Sequence, residues 1–207
     1  MSQILALLGS SAASGAGESF LWEGINELTL SQDTQYINYT VSSAPYSTYD
    51  ALWFRMALRG GNQNAQSHLT VRADSYSSGN AYLKNCWWLG QGGSFQSGAG
   101  TSQSYAQFHY IMTEYGDNSG LYGHCDLYVS GPRNNTSTNQ SQGGTSEVAI
   151  QVIGGNNKRN SIQFASSSLP NKGLIGALGT LQFGCGNSHG AGQFDAGTNV
   201  QVYGVTY

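Results

Sequence analysis

Apolar residues recur at every second position in one short segment after another of this chain. In Val148-Ala-Ile-Gln-Val-Ile153 and Val200-Gln-Val-Tyr-Gly-Val205 the spacing is that of a β-strand with one buried face. No hydrophobic run is long enough for a helix, and glycine punctuates almost every gap. Strands are expected at 36–41, 52–59, 68–72, 82–89, 106–113, 123–130, 147–153, 161–165, 180–183 and 199–206. No period of about 20 to 50 residues repeats, which excludes solenoids and propellers. So many short strands in one 207-residue chain predict an all-β fold, a two-sheet antiparallel sandwich of jelly-roll type.

The surface of such a sandwich has to be polar, yet only 9 % of the residues are charged, against about 25 % in an ordinary soluble domain. Gly, Ser, Asn, Gln and Thr fill the gap. With 13 Tyr, 4 Trp and 7 Phe there is ample apolar material for a core, so disorder is excluded. A neutral surface of amides and hydroxyls suits a protein whose outside is shared with neighbours. The net charge is −3 and only Lys158-Arg159 are adjacent among the basic residues, so no nucleic-acid partner is expected.

The beginning of the chain has a different character. Ile4-Leu-Ala-Leu-Leu8 is followed by Gly9-Ser-Ser-Ala-Ala-Ser-Gly-Ala-Gly17, a small-residue linker. Residues 1–20 are therefore expected to form a flexible docking arm, and 21–207 the β domain. The residues expected to bind a partner are Ile4, Leu5, Leu7, Leu8 and Trp22; a frayed terminus is the alternative. The apolar start lacks a basic flank and is too short for a secretory or membrane segment, so synthesis in a cytoplasm without membrane insertion is expected. Cys86, Cys125 and Cys185 are odd in number and far apart, which predicts buried free thiols. Segments 90–104 and 130–146 are rich in Gly, Ser, Gln and Asn and are expected as exposed contact loops.

Several residues invite a catalytic or ligand-binding reading. Gly186-Asn-Ser188-His-Gly190 matches the G-x-S-x-G elbow, but nothing after Gly190 can form the helix that the elbow needs. Glu114, Asp117 and Asp126 could supply a glycosidase pair, yet sequence proximity cannot set a separation of about 5 to 9.5 Å across a sugar. His109 and His124 could hold a metal with Asp126 or Glu114 if their strands were adjacent, but two imidazoles without a spacing pattern predict no metal and no cofactor. Trp87-Trp88 could stack on sugars, although such pairs more often anchor a core. No enzyme is expected.

The order of segments carries a resemblance. Tyr46-Ser-Thr-Tyr49 leads into Trp53-Phe-Arg-Met-Ala-Leu-Arg59, followed by Leu69-Thr-Val-Arg72 and Ser78-Gly-Asn-Ala-Tyr82. Then come Glu147-Val-Ala-Ile-Gln-Val152, Asn156-Asn-Lys-Arg159, Phe194-Asp-Ala-Gly-Thr198 and Val202-Tyr-Gly-Val205. Across about residues 28 to 207 this order resembles small virion proteins of tailed bacteriophages, cyanophages especially, and departs from them at Ala73-Asp-Ser-Tyr76. The resemblance implies a trimeric jelly roll in the virion, made in the host cytoplasm. It further implies a capsid decoration (cement) protein bound to the major capsid protein. A tail-fibre or receptor-binding tip that recognises host glycans is the alternative it leaves open.

Overall fold

A computed structural model describes residues 21–62, 68–73, 82–89, 95–109, 111–114, 116, 120–130, 149–156, 161–168 and 178–206, with only the backbone path in 82–89, 95–103, 161–168 and at 149. Ile4, Leu5, Leu7 and Leu8, the segment 130–146 beyond Ser130, and Asp117 lie outside the described residues. The described part is a stack of β-strands: β1 (Leu21–Thr29), β2 (Ile37–Thr40), β3 (Ala51–Leu58), β4 (Leu69–Ala73), β5 (Tyr82–Leu89) and β6 (Phe95–Gln103). It continues with β7 (Ala106–Phe108), β8 (Gly123–Ser130), β9 (Ala149–Asn156), β10 (Ser161–Ser168), β11 (Thr180–Cys185) and β12 (Asn199–Thr206).

These strands form two antiparallel sheets, ordered β1-β12-β3-β8-β9-β10-β5-β6 and β2-β11-β4-β7. The β5–β6 and β9–β10 hairpins pair with each other and lengthen the larger sheet beyond β8. Without them, eight strands remain, in the orders β1-β12-β3-β8 and β2-β11-β4-β7. Numbered one to eight along the chain, these are 1-8-3-6 facing 2-7-4-5. The first strand lies beside the last and the second beside the seventh, which is the double Greek key of a jelly roll. The chain is therefore a jelly-roll sandwich with a four-stranded extension on one sheet.

Alternation explains why these segments pair as they do. In β8 every second residue is buried (Gly123, Cys125, Leu127, Val129), and β3 buries Leu52, Phe54, Met56 and Leu58. Their partners across the core are Ile37 and Tyr39 of β2, Leu181 and Phe183 of β11, and Leu69 and Val71 of β4. At the centre, the Tyr39, Phe54 and Phe183 rings meet edge to face, with Phe54 5.3 Å from Tyr39 and 5.2 Å from Phe183. Such pairs add about 0.5–1.5 kcal/mol beyond the area they bury. The Tyr39 hydroxyl is buried there with no hydrogen-bond partner, and burial pushes its pKa up.

The expected strands begin only at residue 36, but residues 21–29, with Trp22 among them, already form β1 against β12, with a bulge between Gly24 and Asn26. Two expectations need correcting. Residues 95–103, read as loop, form β6 against β5. The strand expected over 106–113 stops at Phe108. Ile111 and Met112 are instead buried beyond the end of β7, and Thr113 bridges to Arg59. Their apolar character reflects burial without a ladder.

Candidate functional site

The outward positions of β12, β3, β8 and β9 meet in rows, because the registers carry one strand's polar positions onto the next. One row is Asn199, Ala57, His124 and Gly155; the next is Gln201, Arg55, Asp126 and Ile153; a third is Tyr203, Trp53, Tyr128 and Gln151. Small residues in the first row leave a depression on the sheet. The result is a groove of about 520 Å³, walled by Arg55, His124, Asp126, Ile153, Asn199 and Gln201. At Gly154, opposite Cys125 on the β8–β9 seam, a Cβ would run into Cys125 and the backbone of His124, so the two strands approach closely there.

The polar groups around the groove hold one another in place. Asp126 accepts from the Trp53 indole Nε1 at 3.0 Å and pairs with Arg55 Nε at 3.3 Å. The Arg55 guanidinium in turn lies 5.3 Å from the centre of the Trp53 ring. Asn199 donates to Thr29 Oγ1 at 2.9 Å and Glu27 Oε1 at 3.2 Å, and Tyr203 donates to Gln201 Oε1 at 3.3 Å. Beside these groups lies an aromatic run: Trp22 meets Trp53 edge-on at 4.2 Å, and Trp53 lies 5.1 Å from Tyr203. Trp22 is 46 % exposed and Leu21 61 %, both on the marginal strand β1. Ile153 is 55 % exposed on the groove wall.

The outer face of the smaller sheet is built differently. The Gly186–Gly192 loop folds over it, tied by Gly186 N–H to His68 O and Gly192 N–H to Cys185 O, both at 3.0 Å. Its anchor is His189. With the Gln182 amide donating to Asn38 Oδ1 at 2.8 Å, Gln182 Oε1 accepts from His189 Nε2 at 2.8 Å. His189 Nδ1 then accepts from the Thr70 hydroxyl at 3.0 Å. The ring is neutral in this arrangement. Burial, and secondarily the Arg72 guanidinium, push its pKa down to about 4.

This geometry settles the local context of the residues weighed from sequence. Ser188 sits in a bend between β11 and an isolated bridge at Phe194, and His189 beside it is committed to Thr70 and Gln182. His109 packs against His68 at 4.3 Å, whereas His124 is on β8 in the other sheet, so the two imidazoles do not meet across adjacent strands. Among the described residues, no group of three or more His, Cys, Asp or Glu could hold a metal ion. Cys125 and Cys185 are buried free thiols, as the sequence predicts, and burial pushes Cys185 up to about 12. The side chains of Cys86, Trp87 and Trp88 lie outside the described residues. No helix among the described residues is long and apolar enough to cross a membrane.

No family model matches the chain, and no curated protein does. Among solved structures it is similar to the carbohydrate-binding module CBM40 of Ruminococcus gnavus IT-sialidase bound to α2,6-sialyllactose, at 10 % identity and a TM-score of 0.36 over 87 % of this chain and 92 % of that one. A fructofuranosidase from Schwanniomyces occidentalis complexed with fructose matches at 10 % identity and a TM-score of 0.39 over 90 % of this chain, which spans about 34 % of the enzyme's length. Peanut lectin with a bound 9mer peptide matches at 9 % identity and a TM-score of 0.29 over 94 % of this chain and 95 % of the lectin. Likeness at this level carries no functional argument, and the jelly-roll assignment rests on the strand order above.

Proposed function

We propose that this chain is a structural protein of a tailed-phage virion, a capsid decoration protein that binds between subunits of the major capsid protein as a homotrimer. The observation that supports this reading is the margin of the larger sheet. Leu21 and Trp22 are exposed at the start of β1, where residues 1–20 join the sandwich. A marginal strand with bare apolar side chains calls for a cover. Shallow neutral contacts, multiplied by three-fold avidity, suit a surface with few charges to desolvate. The resemblance of the segment order to that of phage virion proteins adds to this reading. Quantitative mass spectrometry of purified particles tests it. Hundreds of copies per particle are expected, and a chain missing from particles would refute it. Removing residues 1–20 is expected to abolish coating of capsids, and a truncated chain that still coats them would sink the arm's role.

A second reading, a tail-fibre or receptor-binding tip that recognises host glycans, is favoured by one observation: the groove beside the Trp53–Tyr203 run. A dozen or so copies per particle would select it.

A further inference from the structure

We propose that the groove across β12, β3, β8 and β9 is a binding site for a neutral oligosaccharide. This inference rests on the second reading above and gives it a place and a ligand class. A sugar presents hydroxyls that both donate and accept, together with an apolar C–H face. The groove offers matching partners. Arg55 supplies donors, Asp126 and the Asn199 carbonyl supply acceptors, and Ile153 supplies an apolar wall. Ile153 is more than half exposed, so its apolar surface is available to the C–H face of a sugar ring. The volume, about 520 Å³, falls within the range of small-ligand sites, about 300–1,000 Å³.

Two further features narrow the ligand. The polar side chains are fixed before any ligand arrives, Asp126 by Trp53 and Arg55, and Asn199 by Thr29 and Glu27. Pre-organisation of this kind lowers the entropy lost on binding. Charge decides between sugar classes. Arg55 is matched by Asp126, and Glu27 adds a further carboxylate next to Asn199. Among the described residues lining the groove, no further lysine or arginine is left to pair with a uronate or sialate. Phosphate and nucleic-acid ligands are disfavoured for the same reason.

The test uses the full chain and a panel of neutral oligosaccharides of glucose, galactose and N-acetylglucosamine, with sialylated and uronate-bearing counterparts. Binding is read by calorimetry and by tryptophan fluorescence, because Trp53 borders the site. At least one neutral oligosaccharide is expected to bind, with acidic counterparts several-fold weaker. Ala57→Trp, which fills the groove, is expected to weaken binding at least tenfold, and Asp126→Asn several-fold. Gln107→Ala on the opposite sheet is expected to leave it unchanged. Should Ala57→Trp fail to fold, Ile153→Ser and Gln201→Ala together serve in its place. The inference is overturned if no panel member binds, if acidic sugars bind best, or if filling the groove leaves affinity intact. It is also overturned if Ala57→Trp only lowers the oligomeric mass in solution, because the face then packs on a second copy. Copy counting in particles is independent of all these readouts. Copies in virions without sugar binding sink this inference alone, whereas sugar binding by a chain absent from virions sinks both virion readings and leaves the groove's ligand standing.

Discussion

The two outer faces of the sandwich use the same kinds of residues and end in opposite states. On the smaller sheet, Gln182, Thr70 and Gln107 are bonded to a loop that the chain itself supplies, and Thr70 is fully buried, while Asn38 beside Gln182 stays exposed. Their hydrogen bonds form one chain that includes the loop, from buried Thr70 through His189 and Gln182 to Asn38. On the larger sheet, Asn199 and Gln201 are tied to β1 and Tyr203, Arg55 and Asp126 to each other and to Trp53, and no described segment crosses them. Polar residues on a sheet therefore do not announce a binding face by their identity. What distinguishes the two is whether the cover is part of the chain.

Both faces depend on the core between them, so the largest expected effect removes that common support. Phe54→Ala takes away the ring that touches Tyr39 from one side and Phe183 from the other, and should cost about 3–5 kcal/mol in denaturant unfolding. Both faces should be lost in a single transition. Independent melting of the two would break the picture of one shared core.

The second effect is confined to the covered face. Gly190 has φ +74°, and a Cβ there would overlap the Tyr36 ring and hydroxyl. Gly190→Ala should cost about 2–3 kcal/mol, part from the left-handed backbone and part from displacing Tyr36 off His189. Faster hydrogen exchange at Gly186 and Gly192, with the groove unaffected, is the signature. If the groove loosens equally, the faces are coupled and the contrast between them fails.

Acid acts on the same cover. The His189 pKa falls from 6.5 in the unfolded chain to about 4 in the folded one. Between those values the unfolded chain holds a proton that the folded chain lacks. Stability is therefore full above pH 6.5, declines as pH falls through the window, and loses no more from this group below about pH 4. Allowing for solvent screening at the partly exposed ring, the loss should be about 1–2 kcal/mol. His189→Gln should flatten this part of the stability–pH curve, and an unchanged slope would show that another group is responsible.

How much of this was legible in the sequence follows from where each part gets its information. The jelly roll is written locally. The ranges expected for β5, β8 and β12 match the strands, because buried and outward residues alternate throughout β8 and from Asn199 to Gly204 in β12, and in β5 an aromatic run is bounded by turn residues. The strand β6, Phe-Gln-Ser-Gly-Ala-Gly-Thr-Ser-Gln, has almost no strand-forming residues and exists through its pairing with β5. The strand β1 escaped because its bulge breaks the period of two. Trp22, expected to bind a partner, lies half-exposed on a strand paired with β12. The groove was hidden, since its walls come from four strands whose outward residues each read as a solvated position until the register aligns them. One signal was available: Ile153 follows Val152, so it must point outward where a polar residue would be expected.

A smaller effect probes an atom that neither face uses. The Tyr39 hydroxyl is buried without a partner, so Tyr39→Phe removes a desolvated polar group and should raise stability by up to about 1 kcal/mol. A loss of that size would mean that the hydroxyl is satisfied in solution.

The smallest effect expected on stability lies on the open face. Arg55 and Asp126 are 54 % and 49 % exposed, and an ion pair in that setting contributes little, because water screens it and two side chains are held still. Asp126 also accepts from the Trp53 indole, but with Asp126 gone the N–H can turn to solvent, so no buried group is left stranded. Asp126→Ala should therefore change unfolding free energy by no more than about 0.5 kcal/mol. The same substitution removes the principal carboxylate acceptor of the groove. A variant that folds as the parent does yet loses ligand separates a face held for binding from one held for stability. A loss of several kcal/mol would instead place Asp126 in the structural network, and the two faces would differ only in which segment covers them.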